Sequence, residues 1–480
     1  MEGCNGGRVE GERGTLPSAV PFDPSTLHPF HTFPFHPFTL SPFHPSTLSF
    51  ITRPCQLPAV RILQLCTRFP PAPGGVETHV LEISKRMRLA GHDVEVFTSD
   101  LYSETPFVRM EKWDREVEGV PVRRFKAYTP GGEAHYLVYP SMQRAAMTAR
   151  AEVFHAHSYG YFQTNLLPMI RKVRRLPTVM TAHFHPEWST WGGEKRRGLR
   201  KVYDSTLGKA VLNNVDIVIA HTREEIGLMK QSGLDDSGKR VRIVPAGIDF
   251  RKYEAVPDGA PFREHFDIGA DEQVVLFSGR LAQNKGLMVL AEAAPSVLKS
   301  FPKARFVLVG QDMGVQEKLQ KRLAGLGVKE RFLLTGHVKD DALFRSAYGA
   351  CDVFVLPSEY EAFGLVLLEA MASEKPVVAS AVGGMPEVLG AAGSGQQWGS
   401  GQRATGTDGT VTATECGLLV NYEDAPALAE AISRLLGDEA LRHRMGAAGR
   451  ERVRKEFNWD SVTSRILEIY RELVDRGRRR

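Results

Sequence analysis

Paired cysteine motifs, long apolar runs and a one-sided charge are all missing from this 480-residue chain. Its five cysteines (Cys4, Cys55, Cys66, Cys351, Cys416) include no C-x-x-C pair. That odd, scattered set argues against a disulfide framework or a cysteine-ligated zinc site and favours a reduced, cytoplasmic setting. No apolar stretch approaches the ~20 residues of a membrane span. The first residues mix acidic and basic groups and then turn proline-rich, which is not the pattern of a secretory signal. A formal net charge of +5 is too mild to argue for a nucleic-acid partner. The glycines after the first apolar run, Gly74 and Gly75, do not form G-x-G-x-x-G, so no dinucleotide fingerprint is met.

Ten of the 29 prolines fall between Pro17 and Pro58, where "PFHP" and "PSTL" each occur twice. Residues 1–58 therefore read as a disordered Pro/Phe/His-rich segment, either a binding segment or, the reading we favour, a translated leader ahead of a start near Val60. From Val60 the pattern becomes strand, loop, helix, strand: "VRILQLC", "PPAPGGVETHV", a helix "HVLEISKRMRLAG", then "HDVEVFTSD". It recurs through "AEVFHAHS", "PTVMTAHFH", "VDIVIAHT" and "VRIVPAGID", predicting a Rossmann-like domain over 59–247. A second set, "QVVLFSGRLAQNKG", "ARFVLVGQ", "RFLLTGHV", "CDVFVLPS" and "KPVVASAV", predicts another over 248–456. Residues 391–415, rich in Gly, Ser and Thr, read as a flexible surface insertion. The terminal segment 457–480 reads as an amphipathic helix with Phe457, Trp459, Ile466, Leu467 and Tyr470 on its apolar face, ending in a basic tail. The fold class is α/β, two doubly wound parallel sheets facing a cleft at their strands' carboxyl ends, where ligands bind in such folds.

The chemistry-bearing residues fall in loops after strands. "EYEAFGLVLLEAM" carries Glu361 before a helix start and Glu369 within an apolar helical run. Phe363, Gly364 and Leu365 offer backbone N–H groups to an anion at a helix N-terminus. A buried carboxylate is costly unless it accepts hydrogen bonds, and a ribose diol supplies two. Glu369 on a solvent stripe or paired with a structural arginine is the competing reading. In "SGRLAQNKG", Arg280 and Lys285 flank a glycine-permitted turn and suit a diphosphate, although basic surface loops are common. Gly74 and Gly75 either line the cleft or make an ordinary turn. His155, His157, His183 and His185 follow two strands. A metal is disfavoured because no carboxylate or cysteine stands at ligand spacing on a helix, and a role on sugar hydroxyls or the leaving phosphate is preferred. The basic runs Arg171–Arg175 and Glu194–Lys201, with Trp188 and Trp191 nearby, are solvated helix faces or a peripheral contact with anionic lipid.

Taken together over about 59–475, these motifs resemble family 4 of retaining, nucleotide-sugar-dependent glycosyltransferases, whose fold is called GT-B. The E-x7-E pair Glu361 and Glu369, "KPVVASAVGGMPEV", "SGRLAQNKG", "VPAGID", "GHV" and the "GGVE" loop occur in that family's order. The resemblance implies Arg280 and Lys285 on the donor diphosphate, Glu369 on the ribose, Glu361 on the transferred sugar, and Val338 against the base. It implies Gly74 and Gly75 along the cleft, His183 as the active-site histidine, and a last helix crossing back onto the first domain. It also implies transfer of a hexosyl group from a UDP-, GDP- or ADP-sugar to a glycan, lipid-linked or small acceptor, with no bound metal or other cofactor. Ala246 stands where many members have Asn, and the 391–415 insertion interrupts the usual run. A nucleotide-sugar epimerase of the same architecture and a non-catalytic sugar-nucleotide or membrane-binding scaffold are the rival readings.

Overall fold

The computed structural model describes residues 59–104, 107–112, 114–129, 137–184, 193–234, 240–391 and 410–478. The 1–58 segment, His185, Trp188, Trp191 and most of the 391–415 insertion lie outside them. Two sheets organise the chain. In the first, the strands stand in the order Val241–Ile243, Ile217–Ala220, Thr178–Thr181, Val153–His157, Arg61–Leu65, Asp93–Ser99, Val120–Phe125, Glu116–Val117. All pairs are parallel except the last. In the second, the order is Phe332–Gly336, Arg305–Val309, Val274–Ser278, Val353–Leu356, Val377–Ser380, Gly417–Val420, Thr412–Ala413, again parallel save the last pair. Central strands such as Val274–Ser278 are buried at every position, as expected where helices cover both faces.

Five local readings change. The first helix begins at Gly75 rather than His79, because the Gly74 carbonyl already accepts the Thr78 N–H (3.1 Å) and the Thr78 hydroxyl (3.0 Å). The strand at Val120–Phe125 and the helix Pro140–Thr148 are additions to the sequence reading. The "VRIVPAGID" strand shortens to Val241–Ile243. The end of the 391–415 segment is ordered: Thr412 and Ala413 pair with Leu419 and Leu418 as an antiparallel edge.

The C-terminal helix, Trp459–Arg478, crosses back to the first sheet. Its start is capped by Asn458, whose Oδ1 accepts the Ser461 N–H at 2.8 Å. Trp459, Val462, Ile466, Leu467, Ile469, Tyr470, Leu473 and Val474 form one buried cluster with Ile62, Ile83, Met87, Val153, Val179 and Ile217. Arg86, buried in the first helix, donates to Asp460 at 2.8 Å. Where the chain passes between the halves, two segments run side by side: Ile248 N–H donates to the Phe457 carbonyl (2.8 Å) and Trp459 N–H to the Ile248 carbonyl (3.2 Å). Gly247 is required at this crossing, since a Cβ there would meet the Trp459 ring at 2.9 Å and the Phe457 carbonyl at 3.0 Å.

Among the described residues no helix is long and apolar enough to cross a membrane. Within the basic run, Arg171 binds Asp216 at 2.8 Å and Arg174 donates to the Ala146 and Ala149 carbonyls (2.9 and 2.8 Å). These two guanidinium groups are occupied by the protein's own acceptors. Cys66, Cys351 and Cys416 are buried free thiols, and burial pushes the first two up to about 12 and the third to about 11, so they are inert as nucleophiles.

Candidate functional site

The loops that follow Val274–Ser278 and Val353–Leu356 in the second sheet are stitched together. Glu359 N–H donates to the Asn284 carbonyl at 2.9 Å. Gly286, at φ 67°, lets that turn pass the Pro357 carbonyl, which a Cβ would meet at 1.8 Å. Lys285 then reaches Glu361, forming an ion pair in which both side chains are largely buried. Ser358 Oγ donates to the same Glu361 oxygen at 3.2 Å. Glu361 is further fixed through its carbonyl, which accepts the Gly384 N–H at 3.0 Å. Arg280, exposed on the same loop, makes no ion pair among the described residues.

Gly364, at φ 79°, adopts the left-handed conformation that opens the helix Leu365–Ala372. The Leu367 N–H donates to the Gly364 carbonyl (2.9 Å), and no side chain caps the helix start ahead of it, the kind of terminus that suits an anion. Phe363 is buried against Phe457, with ring centroids 5.7 Å apart. Glu369, one turn into the helix, accepts a hydrogen bond from the Tyr348 hydroxyl at 2.5 Å. Burial raises its carboxyl to about 7, partly offset by that hydrogen bond. Neither the solvent stripe nor a structural arginine accounts for it. Val338, two residues beyond Gly336 (φ 69°), is half-buried against the second core.

The first sheet contributes Gly75, whose ideal Cβ position lies 3.8 Å from the Leu365 side chain, so the glycine loop meets the helix start that carries the candidate anion site. His221 faces Phe363 with ring centroids 6.0 Å apart. Arg223 N–H donates to Glu387 at 2.8 Å. His183, at φ 41°, holds a conformation uncommon for a side chain with a Cβ, and its ring turns inward to His221 (Nδ1 to Nε2, 3.1 Å). His155, its ring centroid 4.2 Å from that of His157, is bonded to the Tyr470 hydroxyl (2.6 Å) and to Thr181 (2.7 Å). His79 and His221, absent from the sequence reading of the site, stand instead beside His157 and His183; ring centroids between His79 and the other three lie 5.3–5.7 Å apart. The string "GGVETHV" contained His79, but its partners come from three other strand ends. Tyr348 was likewise missed, since nothing in sequence ties it to a glutamate 21 positions on.

The raised Glu369 carboxyl has a measurable consequence. Its folded value lies above its ordinary 4.5, so the stabilisation it gives is fully present below about 4.5 and is lost as pH rises through about 7. A ligand that needs the carboxylate as an acceptor has to drive that proton off. Affinity for a nucleoside diphosphate is expected to rise about tenfold between about pH 6 and about pH 8, with proton release seen by calorimetry in buffers of different ionisation enthalpy. Glu369→Gln should abolish both the slope and the released proton. A slope unchanged in that variant removes Glu369 from the site.

Residues 73–252 match the description Glycosyltransferase Family 4, and residues 272–438 match Glycosyl transferases group 1. The chain is 32% identical over 343 residues to the alpha-maltose-1-phosphate synthase of Mycolicibacterium smegmatis, covering 67% of this chain and 79% of that one. It is 28% identical over 421 residues to the phosphatidyl-myo-inositol mannosyltransferase of Mycobacterium leprae, covering 87% and 98%. Among solved structures it resembles the sucrose-phosphate synthase of Thermosynechococcus elongatus (TM-score 0.66, 25% identity, 86% of this chain and 99% of that one). It also resembles Anabaena HepE in complex with UDP and glucose (TM-score 0.64, 21% identity, 86% and 100%). The two sheets thus have the GT-B architecture, and the chain belongs to glycosyltransferase family 4.

Proposed function

We propose that this glycosyltransferase moves a hexosyl group from a nucleoside-diphosphate sugar to an acceptor hydroxyl with retention of anomeric configuration. The observation that carries the reading is the joined pair of loops at the carboxyl ends of Val274–Ser278 and Val353–Leu356, where Lys285 meets Glu361 beside the uncapped helix start at Gly364. An arriving diphosphate exchanges Glu361 for itself as the partner of Lys285 and gains Arg280 and the Phe363–Leu365 backbone N–H groups. Freed from Lys285, Glu361 accepts from sugar hydroxyls, and Glu369 accepts from the ribose diol. Val338 borders the base, Gly74 and Gly75 close the cleft over the phosphates, and His183 forms the floor beneath the sugar. The bond from the anomeric carbon to the phosphate oxygen breaks with its electron pair leaving on phosphate. The acceptor oxygen bonds the same face, and its proton passes to the departing phosphate. Fixed cations and helix N–H groups aimed at the developing charge do the work that a divalent ion does elsewhere.

The acceptor side holds a cavity of about 770 Å³ whose lining includes Arg123, Lys126, Tyr128 and Arg144. This basic wall favours an acceptor bearing a phosphate, in keeping with relatives named for phosphatidyl-myo-inositol and for D-inositol 3-phosphate.

Thermal shift across UDP-, GDP- and ADP-sugars identifies the donor, and proton NMR of the product reads its anomeric configuration. Turnover is expected to be the same with Mg²⁺, with Mn²⁺ or with neither added. An inverted product, or activity only with added Mg²⁺ or Mn²⁺, overturns the reading. Epimerisation of the donor without acceptor points to the rival enzyme class.

A further inference from the structure

We propose that His79, His157 and His183 form a transition-metal site in the floor of the first domain, fit for Zn²⁺ or Co²⁺ and distinct from the donor phosphate site. One ring nitrogen from each residue lies within 4.8 Å of the other two. The residues come from the first helix, the end of the Val153–His157 strand and the turn after Thr178–Thr181, so the fold converges them from three elements.

The hydrogen bonds around them assign the lone pairs. The Val244 carbonyl only accepts, so His221, 2.9 Å away through Nδ1, carries its proton there. Its Nε2 therefore accepts from His183 Nδ1, and His183 Nε2 carries a lone pair. The Gln64 amide nitrogen faces Met87 and Tyr470, leaving its oxygen to accept from His157 Nε2–H at 2.9 Å. His157 Nδ1 then carries a lone pair with no hydrogen-bond partner. Outer partners that fix tautomers and aim the remaining nitrogens are the usual surroundings of metal-binding histidines. His79, 3% exposed, has no hydrogen-bond partner for either ring nitrogen among the described residues. Burying an imidazole with both nitrogens unsatisfied is costly, and a metal ion answers it.

Three neutral imidazoles select Zn²⁺, Co²⁺ or a neighbouring transition ion over Mg²⁺, which takes oxygen ligands. Bonds of ~2.0 Å in a tetrahedral site set the nitrogens ~3.3 Å apart, a contraction within reach of ring rotation. Among the described residues no carboxylate or thiolate joins the group, which leaves the fourth position for water. A bound ion would pin the strand ends to the helix that begins at Gly75. The sequence disfavours a metal for want of a carboxylate or cysteine at ligand spacing on a helix; the fold supplies a helical histidine, His79, in its place. The inference does not rest on the donor-site reading.

The test uses the full chain without a histidine tag. Protein stripped with a chelator is titrated with Co²⁺ and, separately, its metal content after expression is measured by mass spectrometry. We expect one Co²⁺ per chain with the intense visible bands of four-coordinate Co²⁺, displaced by Zn²⁺ and not by Mg²⁺. His79→Ala and His157→Ala should each weaken Co²⁺ binding at least tenfold, with circular dichroism confirming the fold. Failure of the wild-type chain to take up Co²⁺, a six-coordinate spectrum, or uptake undiminished in a folded His79→Ala chain overturns the site. A high-resolution structure showing two trapped waters on His79 in Zn²⁺-grown crystals does the same.

Discussion

Lys285→Ala is expected to lower turnover by ~10²–10³-fold, the loss seen when one fixed group opposite a developing negative charge is removed. The ammonium sits on a turn whose path is dictated by Gly286 and the Pro357 carbonyl, so no neighbouring lysine can take its place. The substitution also strands Glu361, whose other side-chain donor is Ser358. Removing one partner of a largely buried ion pair costs ~3–5 kcal/mol, so stability should fall together with activity. The double variant Lys285→Ala with Glu361→Gln separates the two effects. It should recover most of the stability, because no unpaired carboxylate is left, and none of the nucleoside-diphosphate affinity measured by calorimetry. Equal affinity for UDP, GDP and ADP in Lys285→Ala and in the parent chain would remove Lys285 from the site.

Deletion of Trp459–Arg478 is expected to destroy the first sheet's packing rather than merely loosen it. Eight apolar side chains of this helix are buried in one cluster with the sheet. At ~1.5–3 kcal/mol each, their loss comes to about 12–24 kcal/mol, as large as or larger than the ~5–15 kcal/mol by which a whole domain is stable. The truncated chain also leaves His155 and Gln64 without the Tyr470 hydroxyl and Arg86 without Asp460. An insoluble product, or one lacking a cooperative thermal transition, is the expected outcome. A soluble truncation with an unchanged Tm refutes the argument. Tyr470→Phe, which keeps the ring and removes the hydroxyl, should lower stability by about 1 kcal/mol.

The alternation of strand and helix was readable because buried parallel strands are unbroken apolar runs: "VVLFS", "VFVL" and "VVAS" admit little else. "VPVRRF" hid because it contains Pro121 and two arginines. Pro121 stands before the parallel ladder begins at Val122, so its missing N–H costs nothing there. Arg124 turns inward, its guanidinium spent on the Phe69, Pro70 and Ser99 carbonyls. Each of those partners is remote in sequence. The site divides the same way. Glu361 and Glu369 announce themselves by standing in the wrong company for a carboxylate. Tyr348, Ser358, His79 and His221 are ordinary residues until the fold sets them beside a partner.

The paired passage of the chain at Ile248 and Trp459 has a mechanical meaning. One covalent link between two bodies is a ball joint. Two links bonded to each other, with Gly247 seated against the Trp459 ring, act as the pins of a door: they would restrict any opening to fewer directions than a single link allows. On the proposed donor reading, that restraint would return Lys285 and the glycine loop at Gly75 to one alignment, with no need to find it afresh.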